Sequence, residues 1–312
     1  MNKVAEDFYL KRNFKLGGSN GNVEVYRIRK TIATSELAIV YAARNDEKGI
    51  KCIIKEFFPA ALVRRGKDGA NVLRKAGTRE DKYNELRSAF KNEGDLLRMS
   101  QHPGVVRILD CLEQNGTSYI VTEYVEGMTL DRYIAALSGE MDPGFLYETM
   151  IPLIDTLKYL HGLGVIHRDL KPGNIMIGKD GGVTLLDFGS AVTYQNQEGM
   201  YPIFTTAGYS PLELYSEKSR QNPVSDIYSL AAVLYFCCRG TAPTDVKKRL
   251  FNDELDRLGT GLNRRWPFLS LAVKRGLNVS LDKRCSSLQW FKTAIMLEYM
   301  TSPFSRRRNP SG

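Results

Sequence analysis

One loop limits what this chain can be more than anything else in it. His167-Arg168-Asp169-Leu170-Lys171-Pro172-Gly173-Asn174 places a carboxylate, a lysine two residues on and an asparagine five residues on in a single connection. Such a loop can accept a hydroxyl proton, steady a phosphate and hold a metal ion. Thirteen residues beyond Asn174 comes Asp187-Phe188-Gly189, a strand-end aspartate suited to Mg²⁺, followed by a glycine that lets the backbone turn. The pieces NIMIG and GVTLLDF between them read as strands joined at Lys179-Asp180-Gly181-Gly182, a hairpin signal.

The rest of the chain divides by character. YRIRK, AIVYAA and KCIIKEFF read as strands, with Asn45–Gly49 turning between the last two. Val63 to Arg79 is polar, basic and loop-like, and Tyr83 to Met99 has helical spacing. VVRILDCLE and TSYIVTEYV are strands joined at Asn115-Gly116. Beyond Gly127 helices dominate, at Leu146 to Leu163 and Ser225 to Cys238. A mostly β part before a mostly α part gives an α+β chain of two lobes, not a βαβ repeat. The expected division is an N-terminal extension over 1–25, a small β lobe over 26–126, a larger α lobe over 127–300 and a basic tail over 301–312. At 312 residues, with 43 % hydrophobic and 25 % charged residues, the chain is long enough for a full core and a recessed site. No apolar run spans a bilayer, no secretory signal opens the chain, and five cysteines without CxxC spacing fit free thiols in a reducing compartment. Cytoplasmic residence is expected, and export to a host cell also fits.

On these two motifs the chain resembles the protein-kinase superfamily, with HRDLKPxN as catalytic loop and DFG as metal loop. The resemblance implies a two-lobed kinase fold binding ATP and Mg²⁺ and phosphorylating a protein Ser or Thr. It assigns Asp169 to the substrate hydroxyl, Lys171 to the γ-phosphoryl group, and Asn174 and Asp187 to the metal. Lys55, in Ile53-Ile54-Lys55-Glu56, matches the strand lysine that holds the α/β-phosphates. Glu93, nine residues before His102-Pro103-Gly104, matches the helix glutamate that orients it, with Glu85 as competitor. Thr122 would be the gatekeeper, the backbone of Glu123 to Val125 would meet adenine, and Met176 would lie under it. Glu213 would pair with Arg284, and Asp226 would brace the catalytic loop. Lys171 after the HRD triplet follows the Ser/Thr pattern, and Lys55-Glu56-Phe57-Phe58-Pro59 and GYSPLELY resemble bacterial eukaryotic-like kinases.

The pattern breaks at the phosphate loop. Counting back from Lys55 puts the loop valine at Val40, so the three glycine positions hold Ala33, Ser35 and Ala38. Gly17-Gly18-Ser19-Asn20-Gly21 is out of register and reads as a turn in the extension. Ile53 replaces the small residue that faces adenine, and Leu212 replaces a proline next to Pro211. A pseudokinase-like scaffold with weak or absent phosphotransfer is the rival reading. A small-molecule phosphotransferase is a third, disfavoured by Lys171. Arg168 beside Asp169 suggests ordering by a phosphate on the segment 190–206, with Thr193, Tyr194, Tyr201 and Thr205 as candidates and Thr205 preferred; Thr206 is expected to touch Asp169 and Lys171 as a structural hydroxyl. Lys plus Arg exceeds Asp plus Glu by 44 to 35, a formal charge of +9. Within a kinase that excess points to acidic protein partners or substrates, with no nucleic acid and no membrane anchor expected.

Overall fold

The computed structural model describes residues 8–18, 24–137, 141–194, 203–256, 258 and 266–302. It divides into two compact units, one of 1–101 with 106–124, the other of 102–105 with 125–312.

The first unit is a six-stranded antiparallel sheet with one long helix. Its strands are β1 (Lys15–Leu16), β2 (Tyr26–Thr34), β3 (Ala38–Asn45), β4 (Lys51–Phe57), then β5 (Val63–Arg65) and β6 (Val72–Arg74) as a separate hairpin. Helix α1 (Glu80–Met99) precedes β7 (Ile108–Gln114) and β8 (Thr117–Glu123). The sheet order is β1-β2-β3-β4-β8-β7. Period-two burial sets its faces. In β4, Cys52, Ile54 and Glu56 are buried on one side, while Ile53 and Lys55 share the other and are partly accessible. Helix α1 comes close to the sheet at Gly94, where an added Cβ would stand 2.8 Å from Cys111 Sγ. This approach seats the neighbouring Glu93 inside the unit.

Two features of this unit depart from the sequence expectation. The segment assigned to an extension packs Leu10 and Leu16 into the core and supplies β1 to the sheet. Within the stretch 63–79, residues 63–74 form the β5–β6 hairpin, with Arg65 buried on Glu56, nine residues earlier on β4.

The second unit comprises β9 (Gly127–Thr129), α2 (Leu130–Ala136), α3 (Pro143–Gly162), β10 (Val165–Ile166), β11 (Ile175–Gly178), β12 (Val183–Leu185) and β13 (Val192–Thr193), followed by α4 (Pro223–Arg239), α5 (Val246–Arg249), α6 (Pro267–Gly276) and α7 (Leu288–Thr301). Its core includes α4, buried along most of its length and packed against α6, while α7 packs against both α6 and α3. Asp142 and Asn222 cap α3 and α4, each accepting from a backbone N–H two residues on, and each helix opens on a proline. The unit starts at Val125, not at Gly127, and takes in His102–Val105. Those four residues join it because Gly104 O accepts Leu185 N–H at 2.8 Å and Val105 bridges to Leu185. Among the described residues no helix is long and apolar enough to cross a membrane. Residues 303–312 of the basic tail lie outside the described residues.

Candidate active site

The loop 167–174 is held by what surrounds it. Strand β10 delivers it and the hairpin β11–β12 leads away, pairing Ile175 with Leu185. Leu186 N–H donates to Asn174 O at 2.8 Å, which brings Asn174 beside the start of the Asp187 turn. Asp226, near the start of α4 and fully buried, reaches up into the loop. Its Oδ2 accepts His167 N–H at 2.9 Å and contacts His161 Nε2 at 2.8 Å, while Oδ1 accepts Arg168 N–H at 2.9 Å. Burial pushes the Asp226 carboxyl up, but the His161 hydrogen bond, the charges of His161 and His167 and the His167 N–H outweigh it. The net shift is downward. His161 was not anticipated from sequence; it carries no motif and meets Asp226, 65 residues further along the chain, only in the folded structure. The bracing is needed because Arg168 has φ +67°, a left-handed conformation costly for a residue with a Cβ. Arg168 itself is buried, and its Nη1 donates to Ser190 O at 3.1 Å.

Around Asp169 the predicted groups converge. Asp169 Oδ2 accepts Lys171 Nζ at 2.7 Å and Asn174 Nδ2 at 2.9 Å, and its Oδ1 accepts the Thr206 hydroxyl at 2.8 Å. Lys171 Nζ also reaches Thr206 Oγ1 at 3.3 Å. Three donors fix the carboxylate rotamer, and Oδ1 keeps a lone pair for one further hydroxyl. Asp187 sits at φ +43° with Oδ1 accepting Gly189 N–H at 3.1 Å. His167 packs edge-on against Phe188 with ring centroids 5.0 Å apart, so the two motifs share one support. Further along, Glu213 and Arg284 form the expected buried pair at 2.6 and 3.1 Å.

In the first unit, Lys55 Nζ donates to both Glu93 carboxylate oxygens at 2.9 Å. Glu93 is buried, whereas its competitor Glu85 is exposed and pairs with Lys82. Val40 lies directly opposite Lys55 across β3–β4, and Ile53 lies between Ala42 and Thr122. Glu123 N–H donates to Arg107 O at 2.9 Å, so this donor is spent within the sheet. Of the segment expected to meet adenine, the Glu123 carbonyl and the groups that follow it remain as candidates. Met176 is half-buried in β11 of the second unit, opposite Thr129 and Thr184.

Ala33, Ser35 and Ala38 flank the β2–β3 turn. Ser35 N–H donates to Ala38 O at 2.8 Å, and Ala38 N–H donates to Ser35 Oγ at 3.1 Å. The carbonyls of Leu37 and Glu36 accept Phe58 N–H and Ala60 N–H. No residue from 33 to 40 has positive φ, so the turn has no conformational need for glycine. Gly17 and Gly18 do take positive φ, just after β1. Residues 19–23 and, in the segment 190–206, residues 195–202 with Tyr201 lie outside the described residues.

A buried network missed by the sequence reading lies on the opposite face of β4. Glu56 accepts Arg65 Nη1 and Nη2 at 2.6 Å each, Tyr41 Oη at 2.8 Å and Tyr119 Oη at 3.0 Å. Arg65 Nε donates to Phe8 O, and Tyr41 Oη accepts Leu10 N–H. The network ties the N-terminal segment and the β5–β6 hairpin to the strand that carries Lys55.

Comparison with known proteins converges on one family. The family model described as protein kinase domain matches residues 60–281, more than two thirds of the chain, beginning beyond Lys55 and the β2–β3 turn. CBL-interacting serine/threonine-protein kinase 13 of Arabidopsis thaliana is 29 % identical over 280 residues, which are 86 % of this chain and 52 % of that protein. A probable serine/threonine-protein kinase PknB of Bifidobacterium longum is 35 % identical over 173 residues, 49 % of this chain and 24 % of that one. The chain spans about half or less of the length of the curated relatives it matches. The solved structure of PpkA-294 in its apo form superposes with a TM-score of 0.74 at 26 % identity, covering 91 % of this chain and 99 % of that one.

Proposed function

The chain belongs to the protein kinase domain family, and we propose from that premise that it transfers the γ-phosphoryl group of ATP to a Ser or Thr hydroxyl of a protein. The observation that carries the reading is the Asp169 cluster: a carboxylate fixed by Lys171, Asn174 and Thr206, with one lone pair left on Oδ1. That lone pair accepts the substrate hydroxyl proton as the oxygen attacks the γ-phosphorus and the bond to ADP breaks. Lys171 offsets charge on the transferring group. In the first unit, Lys55, oriented by Glu93, binds the α/β-phosphates. These are positioning and electrostatic effects, which phosphoryl transfer chiefly requires.

The donor set fits Mg²⁺. Among the described residues no group of three or more His, Cys, Asp or Glu forms a metal site. Mg²⁺ does not need one, since it takes one or two carboxylates with phosphate and water oxygens. Asp187 offers a carboxylate, and Asn174, whose Nδ2 is turned to Asp169, offers its amide oxygen. The ion would neutralise phosphate charge.

A second reading, a scaffold that binds nucleotide poorly, draws support from the β2–β3 turn. The Ser35 and Ala38 N–H groups are committed inside the turn. Phosphate cradling therefore falls to fewer backbone donors. The experiment is transfer of labelled phosphate from ATP with Mg²⁺ to a generic protein substrate, beside an Asp169→Asn variant. Transfer by the parent and its loss, by about 10²-fold or more, in a folded variant is expected. No transfer by the parent, with folding intact, overturns the kinase reading in favour of the scaffold.

A further inference from the structure

Four cations stand directly opposite one another across four strands. Lys15 of β1 is the cross-strand partner of Arg27 of β2, Arg27 of Arg44 of β3, and Arg44 of Lys51 of β4. Strands about 4.8 Å apart make the row about 14 Å long. Like charges directly opposite destabilise a sheet, so a row of four works against folding. Alternation along β4 places the row on the same face as Ile53 and Lys55. Arg29, two residues on from Arg27, adds a fifth cation.

Arg27 has an acidic partner. Asp46 grips Arg27 through Nε at 2.9 Å and Nη2 at 2.6 Å. That hydrogen bond first, and then the charges of Arg27, Lys15 and Arg29, hold the Asp46 carboxyl below its usual range. Arg44 Nε donates to Gly49 O at 3.0 Å and Arg29 Nη1 to Asn13 Oδ1 at 3.5 Å, both uncharged acceptors. Lys51 Nζ lies over the Tyr124 ring at 5.7 Å. Arg27, Arg29, Arg44, Asp46 and Gly49 line an open depression of about 340 Å³.

We propose that this face docks a carboxylate-rich segment of a protein substrate, with Arg29 and Arg44 as its principal partners. Guanidinium forks match carboxylates two bonds at a time. An extended peptide sets alternate side chains about 7 Å apart, so two or three acidic groups fall within the row. A single-stranded nucleic acid is a poorer fit, because its bases need aromatic platforms and the depression is lined by none. That the segment belongs to a substrate rests on the kinase reading; the docking itself does not.

The test uses the full chain and a fluorescein-labelled peptide with glutamates at alternate positions around one serine. Anisotropy should show saturable binding that weakens between about 0.05 M and 0.3 M salt. The double variant Arg29→Glu/Arg44→Glu should bind at least about tenfold more weakly, while Arg29→Lys/Arg44→Lys keeps part of the affinity. The reversal relieves repulsion within the row, so its melting temperature should not fall. In the phosphotransfer assay the reversal should raise KM for the acidic peptide and leave kcat and the KM for ATP in place. Equal peptide binding by parent and reversal variant overturns the proposal. So does oligouridine that competes as well as the peptide and is equally weakened by the reversal. If the parent transfers no phosphate but binds the peptide through Arg29 and Arg44, the kinase reading fails and the docking surface stands.

Discussion

Replacing Asp226 by asparagine probes the support beneath the catalytic loop without touching any group assigned to substrate. Three donors converge on the carboxylate, His167 N–H and Arg168 N–H at 2.9 Å and His161 Nε2 at 2.8 Å. An asparagine must turn its NH₂ towards one oxygen position. At Oδ2 it would confront two donors, so it takes the Oδ1 position and confronts Arg168 N–H. One buried donor is then unsatisfied, at about 1–3 kcal/mol, and the other two bonds lose their charge assistance, at about 1 kcal/mol each. A neutral amide is cheaper to bury than a carboxylate, which returns part of this, for a net loss of about 2–4 kcal/mol. Arg168, at φ +67°, loses the acceptor that held it there, and Asp169 follows it in the chain. A shift of about 1 Å in Asp169 is expected to lower kcat by about 10²-fold, with the KM for ATP changing far less. The downward shift of the Asp226 carboxyl gives the pH dependence. The folded protein binds this proton less readily than the unfolded chain, so the stabilisation is fully present above about pH 4 and is lost as pH falls through the folded-state value. The gap between parent and variant should therefore be constant near neutrality and close in acid. Urea unfolding across pH, with kcat measured where both proteins are folded, checks each part. A variant within about 0.5 kcal/mol of the parent and with unchanged kcat would refute the reasoning.

The buried pair of Glu213 and Arg284 should behave as a unit. Arg284→Met alone leaves a carboxylate buried against Ser225 and should cost about 3–5 kcal/mol in urea unfolding, while Glu213→Leu/Arg284→Met recovers most of it; additive single effects would contradict the pairing. At the β2–β3 turn, Ser35→Gly/Ala38→Gly removes the Ser35 Oγ acceptor, frees the one backbone N–H at position 38 and, under the proposed kinase function, should tighten ATP binding severalfold by calorimetric titration. The same change should lower stability by about 0.5–1 kcal/mol per glycine, and an unchanged ATP affinity would show that the turn does not limit binding.

The catalytic loop was legible in sequence because its chemistry demands residues close along the chain. Asp169, Lys171 and Asn174 meet in one hydrogen-bonded cluster from a single connection, and the short hairpin β11–β12 leads on to Asp187. Glu93 was harder, since it and Glu85 are both acidic residues on one helix. What separates them is Gly94, which allows the helix to close on Cys111 and carries Glu93 into the interior. The hairpin β5–β6 was illegible for the opposite reason. Its polar, basic residues have no local pattern, and Arg65 becomes a core residue only through Glu56, nine residues earlier on another strand.

A sequence signal for that network did exist. In KCIIKEF the alternation that exposes Lys55 to its partner puts Glu56 on the buried face with Cys52 and Ile54. A carboxylate at that parity requires a cation, because an unpaired buried charge is prohibitive. The nearest downstream candidates were Arg64 and Arg65, and only Arg65 is buried. Once Arg65 is fixed, its bond to Phe8 O and the Tyr41 bond to Leu10 draw in the N-terminal segment. The same strand thus presents Lys55 to Glu93 on one face and is clamped through Glu56 on the other. The phosphate turn is anchored to this strand's end, since Leu37 O accepts Phe58 N–H at 2.8 Å. A β2–β3 turn without glycine then spends the Ser35 and Ala38 donors on holding its own shape, and under the proposed kinase function phosphate affinity would come mainly from Lys55 and from metal-bound charge.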